Sequence, residues 1–146
     1  VATITVGSGP YGVAVDAAAQ RAYVANYSSA NVSVINTADN TKVATITVGS
    51  GPFGVAVDAA AQRAYVANSG SSNVSVINTA NNSVVATITV GSGPYGVAVD
   101  AAAQRAYVPN YSSNNVSVIN TADNTKVATI TVGSGPRGVA INPPSL

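Results

Sequence analysis

The chain has 146 residues, with six basic side chains against five acidic ones and a formal net charge of +1. Its apolar content is almost all Val, Ala and Ile, with a single Phe (Phe53) and no Cys, Met, Trp, His or Glu. That inventory leaves no basic stripe for nucleic acid, no polybasic patch for a membrane surface and no thiol for disulfide or thiolate chemistry. No apolar run nears the roughly 18 residues that a spanning helix needs, so membrane insertion is not expected. The start at Val1, without an initiator Met or a signal peptide, predicts a processed, trimmed or excised chain. Sparse charge with abundant Ser, Thr, Asn and Gly points to an extracellular or cell-surface location.

In chain order, the first element is Val1–Val6, where Ala2, Ile4 and Val6 oppose Val1, Thr3 and Thr5. Period-2 alternation bounded by turn formers is the strand signal, and β-branched residues suit a pleated surface. Gly7-Ser8-Gly9-Pro10 breaks it, and a second strand follows at Gly12–Asp16. A tight loop at Ala17–Gln20 leads to a third strand at Arg21–Asn26; three alanines are too few to nucleate a helix. Tyr27–Ala30 turns the chain into Asn31–Asn36, and Thr37–Asn40 turns it again. Then Val1–Pro10 returns almost letter for letter at Val43, again at Val85 and at Val127, a period of 42 residues.

A fixed period of roughly 40–45 residues with four short strands is the signature of a β-propeller blade. The predicted fold is therefore all-β, one repeat domain over 1–146, with four-stranded antiparallel blades at about 11–48, 53–90 and 95–132. Small residues suit the convergence at the channel, so Gly12–Asp16 is read as the innermost strand and Val43–Val48 as the outermost. Val1–Val6 is left as an orphan outer strand and 137–142 as a partial inner strand, before the paired Pro143 and Pro144 stop strand pairing. Propellers close with about four to eight blades. Three make an incomplete ring, so other copies of the same chain are the expected partners in a homo-oligomer. Two copies give the simplest ring, six blades with overhanging ends.

The run Gly9-Pro10-Tyr11-Gly12-Val13-Ala14-Val15-Asp16, followed by Ala22–Asn26, Asn31–Thr37 and Val43–Ile46, resembles the YVTN β-propeller repeat. The tetrapeptide itself stands as Tyr23-Val24-Ala25-Asn26, Tyr65-Val66-Ala67-Asn68 and Tyr107-Val108-Pro109-Asn110. The resemblance covers essentially the whole chain. It implies a surface-layer or cell-surface protein, whereas the architecture itself also hosts binders, scaffolds, lyases and lactonases.

Counting turns around a blade places the interblade link and the Tyr27–Ala30 loop on one face. Tyr11, Tyr27, Phe53, Tyr95, Tyr111 and Arg137 then share that face, where most differences between repeats also fall. Aromatic rings beside Ser, Gly and Asn make a binding surface suited to a glycan or a surface protein. On the opposite face, Asp16, Asp58 and Asp100 are expected to accept from turn amides and to pair with Arg21, Arg63 and Arg105. Tyr23, Tyr65 and Tyr107 are read as interblade packing with each hydroxyl tied to a neighbour. Asn-x-Ser sequons fall at Asn26, Asn31, Asn73, Asn81, Asn110 and Asn115, read as loops or strand starts.

Catalysis fails on inventory: no ordinary base serves a serine nucleophile, and lactonases and lyases of similar propellers use His or Glu near a metal. Gly7-Ser8-Gly9-Pro10 lacks the Lys and helix of a phosphate loop. No cofactor, no metal and no catalytic residue are expected. The leading expectation is a non-enzymatic structural or interaction module that assembles into a propeller ring. Repeats one and three differ only at Ala25 against Pro109 and Ala30 against Asn114, so a designed or fragment propeller without natural ligand is the alternative. A remnant of a propeller lactonase or lyase is the third.

Overall fold

The computed structural model describes residues 1–142 and contains twelve strands with no helix among them. β1 (Pro10–Asp16), β2 (Arg21–Asn26), β3 (Asn31–Asn36) and β4 (Thr41–Thr47) form the first antiparallel sheet in that spatial order. β5 (Pro52–Asp58), β6 (Arg63–Asn68), β7 (Asn73–Asn78) and β8 (Ser83–Thr89) repeat it. β9 (Ala98–Asp100), β10 (Arg105–Asn110), β11 (Asn115–Asn120) and β12 (Thr125–Thr131) make the third. In the first blade the second and third strands match their expected ranges to the residue, while the fourth runs Thr41–Thr47 rather than Val43–Val48 because its pairing with β3 continues to Asn36↔Thr41. The first begins earlier, at Pro10 and Pro52, because Tyr11-Gly12 and Phe53-Gly54 form bulges whose far side still pairs, Pro10 with Asn26 and Pro52 with Asn68.

The hairpins close through four-residue turns whose last residue is left-handed: Gln20 (φ 55°), Ala30 (φ 54°) and Asn40 (φ 60°) in the first sheet. The Ala17–Gln20 loop holds a single i to i+3 bond, Gln20 N to Ala17 O at 3.3 Å. Helix nucleation lost there, as three alanines dictate.

The sheets stack as blades, with first strands converging and fourth strands at the rim. Gly54 N donates to Tyr95 O at 2.8 Å, binding the inner end of the second blade to the third. A Cβ on Gly12 would lie 2.3 Å from Phe53 O, so only glycine permits that approach. Two interblade cores result. Tyr23, Val32, Val34 and Ile46 of the first blade pack on Ala64, Val66 and Ile77 of the second, with Val55 and Val57 alongside. Tyr65, Val74, Val76 and Ile88 pack on Ala106, Val108 and Ile119 of the third in the same way. Each sheet therefore buries both faces only where it has a neighbour on both sides.

Two expected strands are not formed. Val1–Val6 and residues 137–142 join no ladder, since a strand needs a partner and neither segment has one among the described residues. The inner strand of the third blade is also short, three residues against seven in the others. Pro109 explains it. Its carbonyl accepts from Tyr95 N at 3.3 Å, so its nitrogen faces the same inner strand and has no hydrogen to give. Only the isolated bridge Pro94 to Asn110 survives there. Pro143 and Pro144, expected to end pairing, lie outside the described residues.

Candidate functional site: an aromatic face built from four repeats

The turn geometry that the sequence dictates brings the interblade link against the second hairpin. Tyr27 N donates to Gly9 O at 2.8 Å and Ser28 N to Ser8 O at 3.1 Å, with Ser69, Gly70, Tyr111 and Ser112 doing the same in the later repeats. Side-chain hydroxyls add to it, as Ser29 Oγ accepts from Ser8 N at 2.6 Å. Gly9 adopts φ +64°, and a Cβ there would lie 2.7 Å from Ser28 Oγ. The link and loop are thus clamped together on one face, as the turn count requires.

All six residues expected on that face lie side by side. Tyr11 stacks on Phe53 with ring centroids 4.6 Å apart and planes at 23°. Tyr27 meets Tyr11 edge-on at 5.6 Å, Phe53 meets Tyr95 at 4.8 Å, and Tyr95 meets Tyr111 at 5.5 Å. Arg137 closes the line, its guanidinium 5.2 Å from the Tyr95 ring and 4.7 Å from that of Tyr111. Offset and edge-to-face pairs are the geometries that ring quadrupoles prefer, and the cation adds its own attraction. Tyr11, Tyr27 and Tyr111 remain exposed while Phe53 and Tyr95 are half-buried. The surface can therefore present flat rings and phenol hydroxyls, with Ser28, Ser112 and Asn114 as adaptable donors and acceptors beside them.

Three expectations about other residues need correction. Asp16, Asp58 and Asp100 do accept from turn amides, Ala19, Ala61 and Ala103 N at 3.1 Å each. Their arginines do not pair with them. Arg21, Arg63 and Arg105 fold back to donate Nη1 to the carbonyls of Gln20, Gln62 and Gln104 at 2.9, 3.0 and 2.9 Å, which satisfies the left-handed end of the turn instead. Tyr23 and Tyr65 pack between blades as expected, but their hydroxyls are buried with no hydrogen-bond partner. Burial pushes both phenols above 10.0, while Thr79 and Thr121 of the following blade lie near enough to ease the shift. Tyr107, with no further blade on it, is only half-buried.

Two of the sequon asparagines are likewise not in loops. Asn26 and Asn110 end β2 and β10, fully buried, and donate Nδ2 to Asn31 and Ser33 or to Asn115 and Ser117 at 2.8 and 2.9 Å. Neither side chain is accessible in the folded chain. Asn81 is exposed in its turn, where its Oδ1 accepts from Ser83.

Three stacked four-stranded sheets with converging inner strands define a β-propeller-type repeat protein, and solved structures agree. The chain superposes on a hydrazine synthase structure from Kuenenia stuttgartiensis with a TM-score of 0.85 and 25% identity, over 94% of its own length and 40% of that chain. It matches the structure of U3-55K with a TM-score of 0.81 at 14% identity, over 90% of its length and 42% of the other. The RRP9 WD40 repeats match at 0.78 and 14%, over 87% and 40%. The chain thus spans less than half the length of each of these structures. No family model and no curated protein matches the sequence.

Proposed function

We propose that this chain is a non-enzymatic interaction module of the YVTN-repeat type, at the cell surface or outside the cell. It assembles with further copies into a propeller ring and presents its aromatic face to a glycan or a surface protein. The observation that carries this reading is the unbroken line from Tyr27 through Tyr11, Phe53, Tyr95 and Tyr111 to Arg137, assembled from residues that four repeats contribute separately. Rigid rings with polar tips give large contact area at little entropic cost, which is how recognition surfaces are built.

The open flanks support assembly. Ile46 and Ile88 are 5% and 6% exposed, whereas Ile130 at the same repeat position is 47% exposed. On the other side Val13 and Val15 are exposed, although their counterparts Val55 and Val57 pack on the first blade. The bare front of blade one is the twin of a front already covered within the chain, and the bare back of blade three is the twin of a covered back. Head-to-tail docking of a second copy continues that established interface. Native mass by light scattering tests it. Wild type should be a closed oligomer, Val13→Asp and Ile130→Asp each monomeric, and their mixture a dimer through the one intact junction. A monomeric wild type, or no rescue on mixing, overturns the assembly.

The partner is tested by screening glycans and surface proteins with wild type and with Tyr27→Ser/Tyr111→Ser, the serine being what repeat two carries as Ser69. Binding that is lost in the variant supports the aromatic face; binding that survives, or none, removes it. The near-identity of repeats one and three favours a second reading, a consensus or designed propeller with no natural ligand, which keeps the assembly and loses the partner.

A further inference from the structure

The face opposite the aromatic line carries a feature that repeats with the chain. Between the first and second blades a crevice of about 380 Å³ is lined by Asp16, Arg21, Gln62 and Thr79, with alanine methyls as its walls. Between the second and third lies one of about 420 Å³, lined by Asp58, Arg63, Gln104 and Thr121. Every one of these residues is its counterpart moved on by 42. Each crevice is shared: the carboxylate and guanidinium come from one blade, the amide and hydroxyl from the next.

The polar groups are under-used. Asp16 is 5% exposed, and its carboxylate is engaged by Ala19 N through Oδ1 alone. Arg21 donates through Nη1 to turn carbonyls, which leaves its other donors free. Both crevices therefore offer a carboxylate oxygen and guanidinium donors that the chain itself leaves unused. Tyr23 and Tyr65, whose hydroxyls are closed off from solvent near Thr79 and Thr121, are not part of either lining.

The lining selects its chemistry. One negative and one positive group cancel, so no net charge is favoured. No aromatic ring or long aliphatic chain lines either crevice, which excludes a greasy ligand. Carboxylate, guanidinium, amide and hydroxyl together accept from and donate to closely spaced hydroxyls. We propose that each interblade crevice is a binding site for a neutral polyhydroxylated ligand of about one sugar ring. The site stands on groups within a single chain and is independent of the aromatic face. Blade three holds half of a further site in Asp100 and Arg105, whose missing amide and hydroxyl exist as Gln20 and Thr37 on the front of blade one.

The test uses the full chain and a panel of methyl glycosides of glucose, galactose, mannose and N-acetylglucosamine, followed by saturation-transfer NMR and calorimetry. One glycoside should bind saturably. Thr79→Val/Thr121→Val should weaken it at least about tenfold, with the unliganded Tm kept because the replacement is isosteric. Arg21→Gln/Arg63→Gln, at partly exposed positions, should weaken it too, and Lys42→Ala on the exposed outer strand should leave it unchanged. The proposal falls if no glycoside binds, if glycine or inorganic phosphate binds more tightly, or if the threonine variant keeps wild-type affinity, in which case loss of binding in Tyr27→Ser assigns the glycoside to the aromatic face.

Discussion

The second and third blades carry almost the same residues and live in different surroundings. Val66 and Ile88 of the middle blade are covered from front and back, whereas in the third blade Ile130 and Val132 look outward. The sequence of a blade therefore does not decide what it buries; its neighbours do. In a stacked architecture of this kind stability is close to a sum of interfaces, each shared by two sheets.

The sharpest way to break that comparison is to truncate the same side chain in both places. Ile88→Ala should cost about 3 kcal/mol, because the cavity opens inside a packed interface. Ile130→Ala should cost less than about 0.5 kcal/mol when unfolding in urea is measured at dilutions where the chain is monomeric. Equal costs would mean that the outward flank is covered in solution.

Next in size is the glycine at the inner strand's entry. A Cβ on Gly54 would lie 2.6 Å from Tyr95 O, whereas one on Gly138 meets nothing within 4 Å. Gly54→Ala should lose about 2 kcal/mol and Gly138→Ala close to none, read as thermal midpoints.

The smallest effect sharpens the buried phenols. Burial, first among the causes, raises Tyr23 and Tyr65 above 10.0, so the folded chain holds those protons more tightly than the unfolded one. The associated stability is complete below about pH 10 and falls as pH climbs through the folded-state values. Tyr23→Phe/Tyr65→Phe should leave stability at pH 7 within about 1 kcal/mol of wild type and should flatten the decline between pH 9 and 11.

Much of this was legible in the sequence. Alternation alone locates β2 and β3, and turn counting alone brings Tyr11, Tyr27, Phe53, Tyr95, Tyr111 and Arg137 to one face, where their rings and guanidinium meet. What escaped reading depended on groups distant in the chain. Val1–Val6 has the same letters as Val43–Val48 and forms no strand, because hydrogen-bond partners are not written into a segment. Pro109 shortened β9 through a missing donor on a strand eleven residues away. The crevices arise where Thr79 of one blade meets Arg21 of another, and nothing local to either residue announces the meeting.

The near-interchangeable interfaces have a consequence for how the molecule reaches its shape. Because Tyr23, Val34 and Ile46 can be covered by the front of any blade, a refolding chain cannot distinguish its own second blade from another molecule's. Self-recognition is then a matter of proximity rather than of chemistry. Diluted chains will form their own two interblade interfaces, and crowded ones will exchange segments into tangles whose abundance rises with concentration.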